Sequence, residues 1–281
     1  MNQMSLFGPR EEGPEEKPLS DRFERLSVLI TVKAAPNPSE RYGETVCVAG
    51  LSTDLHRRGW IRLYPINFRE LVTEERFRKY EIVGVEAKPA RNDQRRESWK
   101  PVLATLKREA FLKPWQPRRA WLDPYIEESM CRLYRAARAD ANSQSLALIK
   151  PKDVGGIDIE PHPGWTAAEQ AKIDMYVNQL DLFGTPDRTP LEPPRFKAFY
   201  RYRCYDTRCK GHRQGMLDWE FVAYQRNRLA GIQAQDAAAA LAARFYDDLC
   251  ADDRDVAFYV GNQAKRAHVF SVLGVYWPPK H

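Results

Sequence analysis

Residues 27–34 read SVLITVKA, residues 44–51 read ETVCVAGL, and residues 59–66 read GWIRLYPI. All three are short, β-branched or aromatic, and bounded by turn-forming stretches: NPSERYG at 37–43 and STDLHRRG at 52–59. Such runs predict strands, because branched and aromatic side chains pack well on a pleated surface. EIVGVEAKP at 81–89 reads as a fourth strand. Between the third and fourth, PINFRELVTEERFRKY places Phe68, Leu71 and Phe77 roughly on one helical face. The expectation for residues 23–110 is a β-rich, barrel-like module with one helix.

The rest of the chain follows from the same periodicities. Residues 111–182 read as mainly helical, with Ile126, Met130, Leu133 and Ala137 on one stripe and a strand-like interruption in ALIKPKDVGGIDIEP. TAAEQAKIDMYVNQL opens on Thr166 with Glu169 three residues later, a capping box. The Pro-rich segment 183–194 is a linker. Residues 195–281 begin with the aromatic-basic strand RFKAFYRYRCY, continue through a helix from about Asp218 to Arg228 and the Ala-rich AQDAAAALAARFYDDLCA, and close with DVAFYVGN and HVFSVLGVYWP as a hairpin. The fold class expected is α+β.

Lys plus Arg number 44 against 38 Asp plus Glu, a net charge of +6. Residues 1–22 are rich in Gly, Pro and Glu and read as a disordered tail, so the body is more basic than the total. Arginines recur with aromatics between them (Arg57-Arg58, Trp60, Tyr64, Arg76, Arg78, Trp115, Arg118-Arg119, Trp121, Tyr200 to Arg203), a pattern suited to phosphates and splayed bases. No apolar run is long enough to cross a bilayer, and the polar N-terminus does not read as a signal peptide, so a cytoplasmic protein without a membrane partner is expected. Five scattered cysteines fit free or metal-bound thiols in a reducing compartment.

Three groups of residues can carry chemistry. Cys204, Cys209 and His212 lie within nine positions and can converge on a structural zinc, with His268, Cys250 or Cys47 as candidate fourth ligands. The bland alternative is two buried thiols and a turn-capping histidine. Asp218, Trp219 and Glu220 form the second group. A carboxylate there can activate water or steady a cationic sugar, and Trp219 can stack on a flipped base. The same pair can hold Mg²⁺ in a nuclease, or merely favour a helix N-terminus. The third group is a loop site: Lys33, Asn37, Arg41, Tyr42 and Glu44, followed by Arg62, Tyr64 and Arg69. There basic and polar groups can read phosphate and base edges, with Glu44 a further candidate carboxylate and Arg201 and Arg203 as additional backbone contacts. No P-loop, GxGxxG, GxSxG or HExxH motif occurs, which argues against an ATPase, a dinucleotide enzyme, a serine hydrolase and a zincin.

Two resemblances add to these readings. NQMSLFGP at 2–9 and NQLDLFG at 178–184 are similar to the peptide that holds bacterial DNA polymerases and repair enzymes on the replication sliding clamp. It implies that Gln3, Leu6 and Phe7, and Gln179, Leu182 and Phe183, bind a clamp, although the second copy can equally end a packed helix. The blocks ITVKAAPNPSERYGETVCVAGL, GWIRLYPINFREL, FYRYRCYDTRCKGH with DWE, and VGN with VFSVLGVYWPPK resemble bacterial phage-defence proteins. Among these are the DNA glycosylases that remove modified bases such as glucosylated hydroxymethylcytosine. That resemblance implies a DNA-acting hydrolase of N-glycosidic bonds with no cofactor required for its chemistry. A metal-dependent nuclease and a non-catalytic reader of modified DNA are the rival expectations.

Overall fold

In the computed structural model, residues 17–18, 21–39, 43–54, 57–67, 71, 76–178, 189–264 and 266–280 are described. The four strands read from the sequence are present as β1 (Glu24–Lys33), β3 (Gly43–Ser52), β4 (Trp60–Ile66) and β5 (Glu81–Pro89). Short strands that the periodicity did not single out complete the module: β2 (Asn37–Ser39), β6 (Ser98–Pro101) and β7 (Lys107–Phe111). The pairing order β1-β3-β4-β6-β5 closes because β5 also pairs with β1. Every neighbouring pair in this ring is antiparallel except β4 with β6, which is parallel. The result is a closed five-stranded barrel, with β2 and β7 added on its outside. Closure removes the sheet edges and seals an interior of Val28, Ile30, Val46, Val48, Leu63, Val83, Val85 and Trp99. Leu71 and Phe77 fill the same interior; of the helix expected over PINFRELVTEERFRKY, Pro65 and Ile66 end β4 and residues 76–80 are non-helical, while 68–70 and 72–75 lie outside the described residues.

The middle of the chain carries fewer helices than its periodicity suggested. Helix α1 (Trp115–Leu122) stops short, and Ile126 belongs to a two-residue strand β8 (Ile126–Glu127). Helix α2 (Met130–Ala139) then buries Met130, Leu133 and Ala137. Asp123 and Pro124 interrupt the stripe, since proline cannot continue a preceding helix. Strands β9 (Leu146–Ile149) and β10 (Asp153–Pro161) occupy the strand-like interruption. Helix α3 (Ala167–Val177) starts on the expected box: Thr166 accepts from the Glu169 N–H, and the Glu169 side chain accepts from the Thr166 N–H.

The C-terminal region keeps the expected order with one strand added, β12. Strands β11 (Phe196–Arg203) and β12 (His212–Gly215) form a three-stranded sheet with β10. Helices α4 (Trp219–Arg228) and α5 (Ala234–Ala242) follow, and the hairpin β13 (Ala257–Gln263) with β14 (Arg266–Tyr276) pairs through β13 with β9. An apolar layer joins the barrel to this hairpin: Val32, Ala34, Leu51, Trp60 and Tyr80 meet Leu148, Tyr259, Leu273 and Tyr276. Buried polar groups fix the register of the joint. Arg62, 2 % exposed, donates to the Ser145 carbonyl and hydroxyl, and Glu97 accepts from the Ser145 N–H and hydroxyl.

Candidate functional sites

The cysteine-histidine group is local in sequence and closed in space. Strand β11 ends at Arg203, the chain turns through Cys204 to Gly211, and His212 opens β12. Gly211 adopts φ +102°, a region open to glycine because it lacks a Cβ. The Cys204 and Gly211 N–H groups both point at the Cys209 sulfur, 3.4 Å away in each case. The fourth member is Cys131, in the first turn of α2, none of the candidates offered by the sequence. His212 Nε2 lies 3.4 Å from Cys204 Sγ, 3.3 Å from Cys209 Sγ and 3.7 Å from Cys131 Sγ. All four donor atoms fall within 4.8 Å of one another. A tetrahedral zinc with Zn–S of about 2.3 Å and Zn–N of about 2.0 Å sets sulfur and nitrogen about 3.5 Å apart, so the donor set fits a metal without rearrangement. No linear signal marks Cys131, because its 73-residue separation from Cys204 is bridged by tertiary contacts: the packing of α2 in the core, the Tyr205 N–H to Glu128 carbonyl bond and the Arg135–Asp206 pair.

Asp218 and Glu220 sit at the start of α4 and diverge. Asp218 is the N-cap, accepting from the Glu220 N–H at 2.8 Å, and its side chain is buried. Burial, with the neighbouring Glu220 carboxylate, pushes its pKa up to about 7 against the pull of Lys79, its cap hydrogen bond and Lys33. Glu220 points outward, 52 % exposed, with Lys79 Nζ 3.7 Å from its carboxylate. Burial opposes the charge of Lys79, but Tyr80, Glu220 and Asp218 outweigh it and hold the ammonium above its ordinary range. Lys79 and Asp218 both pack against Gly274 on β14, where a Cβ would lie 3.3 Å from the ammonium.

Glu220 and Lys79 open onto a cavity of about 350 Å³ between the barrel and the C-terminal helices. Its walls are basic and aromatic: Arg78, Arg118 and Arg244 with Tyr80, Trp115, Tyr224 and Trp277. The Arg118 guanidinium lies 4.1 Å from the Tyr80 ring centre and 4.8 Å from that of Trp115. Tyr80 is held at φ +67°, a left-handed conformation costing a tyrosine on the order of 1–3 kcal/mol. The basic-aromatic spacing had singled out Arg78, Arg118 and Trp115, but only the fold gathers them with Lys79, Tyr80, Tyr224 and Trp277.

The remaining expected residues are dispersed. Trp219 is partly buried and packs against the barrel interior, with Lys33 Nζ 5.9 Å from its ring centre. Lys33 donates to the Phe77 carbonyl and faces the same side. Asn37, Arg62 and Tyr64 do come together, on a separate cleft. Arg201 and Arg203 lie elsewhere, along the β11 surface beside the cysteine knuckle, with Arg201 paired to Asp158. His268, Cys250 and Cys47 are not in the Cys3His cluster. Arg41, Tyr42, Arg69, the Glu44 side chain and both clamp-like peptides (Gln3, Leu6 and Phe7; Gln179, Leu182 and Phe183) lie outside the described residues.

Fold and knuckle together define a two-part α+β protein, a closed barrel joined to a unit that carries a Cys3His cluster. Residues 126–281 match the family described as a domain of unknown function (DUF8757), and the chain belongs to that family. Residues 24–124 match a second domain of unknown function (DUF8758), which covers the barrel and α1. No curated protein matches the chain. No helix among the described residues is long and apolar enough to cross a membrane.

Proposed function

We propose that this protein acts on DNA and excises a modified or damaged base, in defence against phage. The observation that carries the reading is the Glu220–Lys79 pair at the mouth of a cavity walled by Tyr80, Trp115, Trp277 and three arginines. Aromatic walls accept an extruded base, and arginines hold the flanking phosphates. A carboxylate at the rim suits the reaction. Water forms a bond to the sugar carbon as the bond to the base nitrogen breaks, and the base leaves with the electron pair and gains a proton. Glu220 takes the proton from that water or steadies the positive sugar. Asp218 acts behind it, as a buried acid that changes charge near neutrality and as the cap that sets the direction of α4. Five-stranded Greek-key barrels often carry oligonucleotides, an analogy of fold that favours nucleic acid without assigning a reaction.

Zinc fits the Cys131, Cys204, Cys209 and His212 donors, and its role there is structural, because all four positions are taken by the protein. The clamp-like peptide at Gln3, Leu6 and Phe7 would bring the enzyme to replicating DNA in the cytoplasm.

Incubation of the purified protein with phage DNA carrying modified bases is expected to release free base, seen by mass spectrometry, and to leave sites that break only after alkali. E220Q is expected to reduce release by at least about a hundredfold, the range of a lost general base. Breaks that form without alkali and vanish with EDTA point instead to a nuclease. Tight binding with intact DNA points to a non-catalytic reader. Deleting Asn2–Gly8 is expected to weaken binding to the sliding clamp, measured by surface plasmon resonance, and to leave base release from naked DNA unchanged.

A further inference from the structure

A second cavity, about 660 Å³, shares no lining residue with the first. Ala34 and Leu273 line it, whereas their neighbours Lys33 and Gly274 face the Lys79–Asp218 cluster. One wall is the barrel surface of β3 and β4, with Cys47, Arg62 and Tyr64. The opposite wall is the end of β13 and the residue that follows it, with Asn262, Gln263 and Ala264.

The lining has the marks of a built site. Arg62 and Asn262, 2 % and 5 % exposed, each hold a buried polar atom with no hydrogen-bond partner: Arg62 Nε, a donor, and Asn262 Oδ1, an acceptor. Buried polar atoms without partners are rare in native proteins, because each has lost its water without replacement. The rest of each side chain is anchored. Arg62 is fixed by Ser145 and Cys47, and Asn262 donates to the Ala267 carbonyl. The two orphans are therefore held in place, one from each wall. Tyr64, 41 % exposed, also lines the cleft, with its hydroxyl tied to Thr45. Both acids in the lining are already used: Asp93 pairs with Arg95 at 2.6 Å and Asp21 with Arg91 at 2.7 Å. Lys88 and Lys100 also line the cleft, and neither has an ion-pair partner among the described residues.

We propose that this cleft binds one unpaired nucleotide of a single-stranded nucleic acid. The base stacks on Tyr64 and meets Arg62 Nε and Asn262 Oδ1 with its edge, and the phosphates lie against Lys88 and Lys100. A base edge offers donors and acceptors side by side, which matches one orphan donor and one orphan acceptor. Because both orphans are buried, a base reaches them only when it is unstacked, so the ligand is single-stranded. The site is distinct from the Glu220 cavity. It rests on the reading that the protein acts on nucleic acid, but not on base excision.

The test uses the full-length E220Q protein and fluorescently labelled oligo-dA, -dC, -dG and -dT of about twelve nucleotides, with affinities measured by anisotropy over a range of salt. Adding Y64A is expected to weaken binding at least tenfold. The double change K88Q/K100Q is expected to lower the slope of log affinity against log salt by about two, one per phosphate contact. N262L is expected to erase any preference among the four bases. Unchanged affinity and salt slope in Y64A and K88Q/K100Q, with melting temperatures equal to the parent, would overturn the site. So would a parent that binds none of the oligonucleotides. A protein that binds through the cleft but releases no base keeps this site and sinks base excision, and the converse result does the opposite.

Discussion

Replacing Asp218 by Asn is expected to flatten the pH dependence of stability between about pH 4 and pH 7. In the folded protein burial and Glu220 raise the Asp218 pKa to about 7, whereas an unfolded aspartate titrates near about 3.9. Across that window the native state keeps a proton that the unfolded state has lost. Stability contributed by this group is therefore full below the unfolded value, falls as pH rises, and is gone above the folded value. The slope is at most about 1.4 kcal/mol per pH unit. Asn is as good an N-cap as Asp and keeps the bond from the Glu220 N–H, so the change removes a charge and not a cap. Other carboxylates titrate in the opposite sense: the Asp93 pKa, where burial is outweighed by Arg95, lies down at about 2. The informative quantity is thus the difference between wild type and D218N, measured by chemical denaturation at pH 5 and pH 8. Parallel profiles for the two proteins would mean that Lys79 and Lys33 keep Asp218 ionised throughout, and Asp218 would then lose its role as the acid behind Glu220.

The purified protein is expected to carry about one zinc per chain, and C131S is expected to lose it on mild chelation. Cys204 and Cys209 are buried within the largest apolar cluster, beside Tyr202 and Met130, so a metal held there would link α2 to the β11–β12 turn inside the core. Loss of a structural zinc removes several kcal/mol of folding free energy, and in a domain of this size that lowers the melting temperature by roughly 10 °C. C250S and C47S serve as controls, since both are cysteines outside the cluster. They are expected to keep full zinc by atomic emission and to melt within a few degrees of the wild type. Zinc retained by C131S but lost by C250S would show that the fourth ligand has been wrongly placed.

Legibility from sequence followed the range of the interactions involved. Strands β1, β3, β4 and β5 were readable because each is a short run rich in β-branched, aromatic and other apolar residues between turn-forming stretches, and the α3 cap was readable because its box is four residues long. Strand β6, SWKP, was not, since four residues with a lysine and a proline carry no periodicity, yet it is the strand that closes the barrel. The packing of Trp219 against the barrel interior is not legible from its neighbours Asp218 and Glu220, because the barrel residues it meets lie far away in the chain.

By itself the sequence determined the α+β class, the grouping of Cys204, Cys209 and His212, and the placing of Asp218 and Glu220 at a helix start, because these rest on local propensity and short spacing. Only the tertiary structure decided that Cys131 completes the knuckle, that Asp218 is buried while Glu220 opens onto an arginine-aromatic cavity, and that Arg62, Tyr64 and Asn262 share a cleft. The physical reason is the same in each case. These residues stand far apart in the chain, and what joins them is barrel closure and the apolar layer between the barrel and the β13–β14 hairpin.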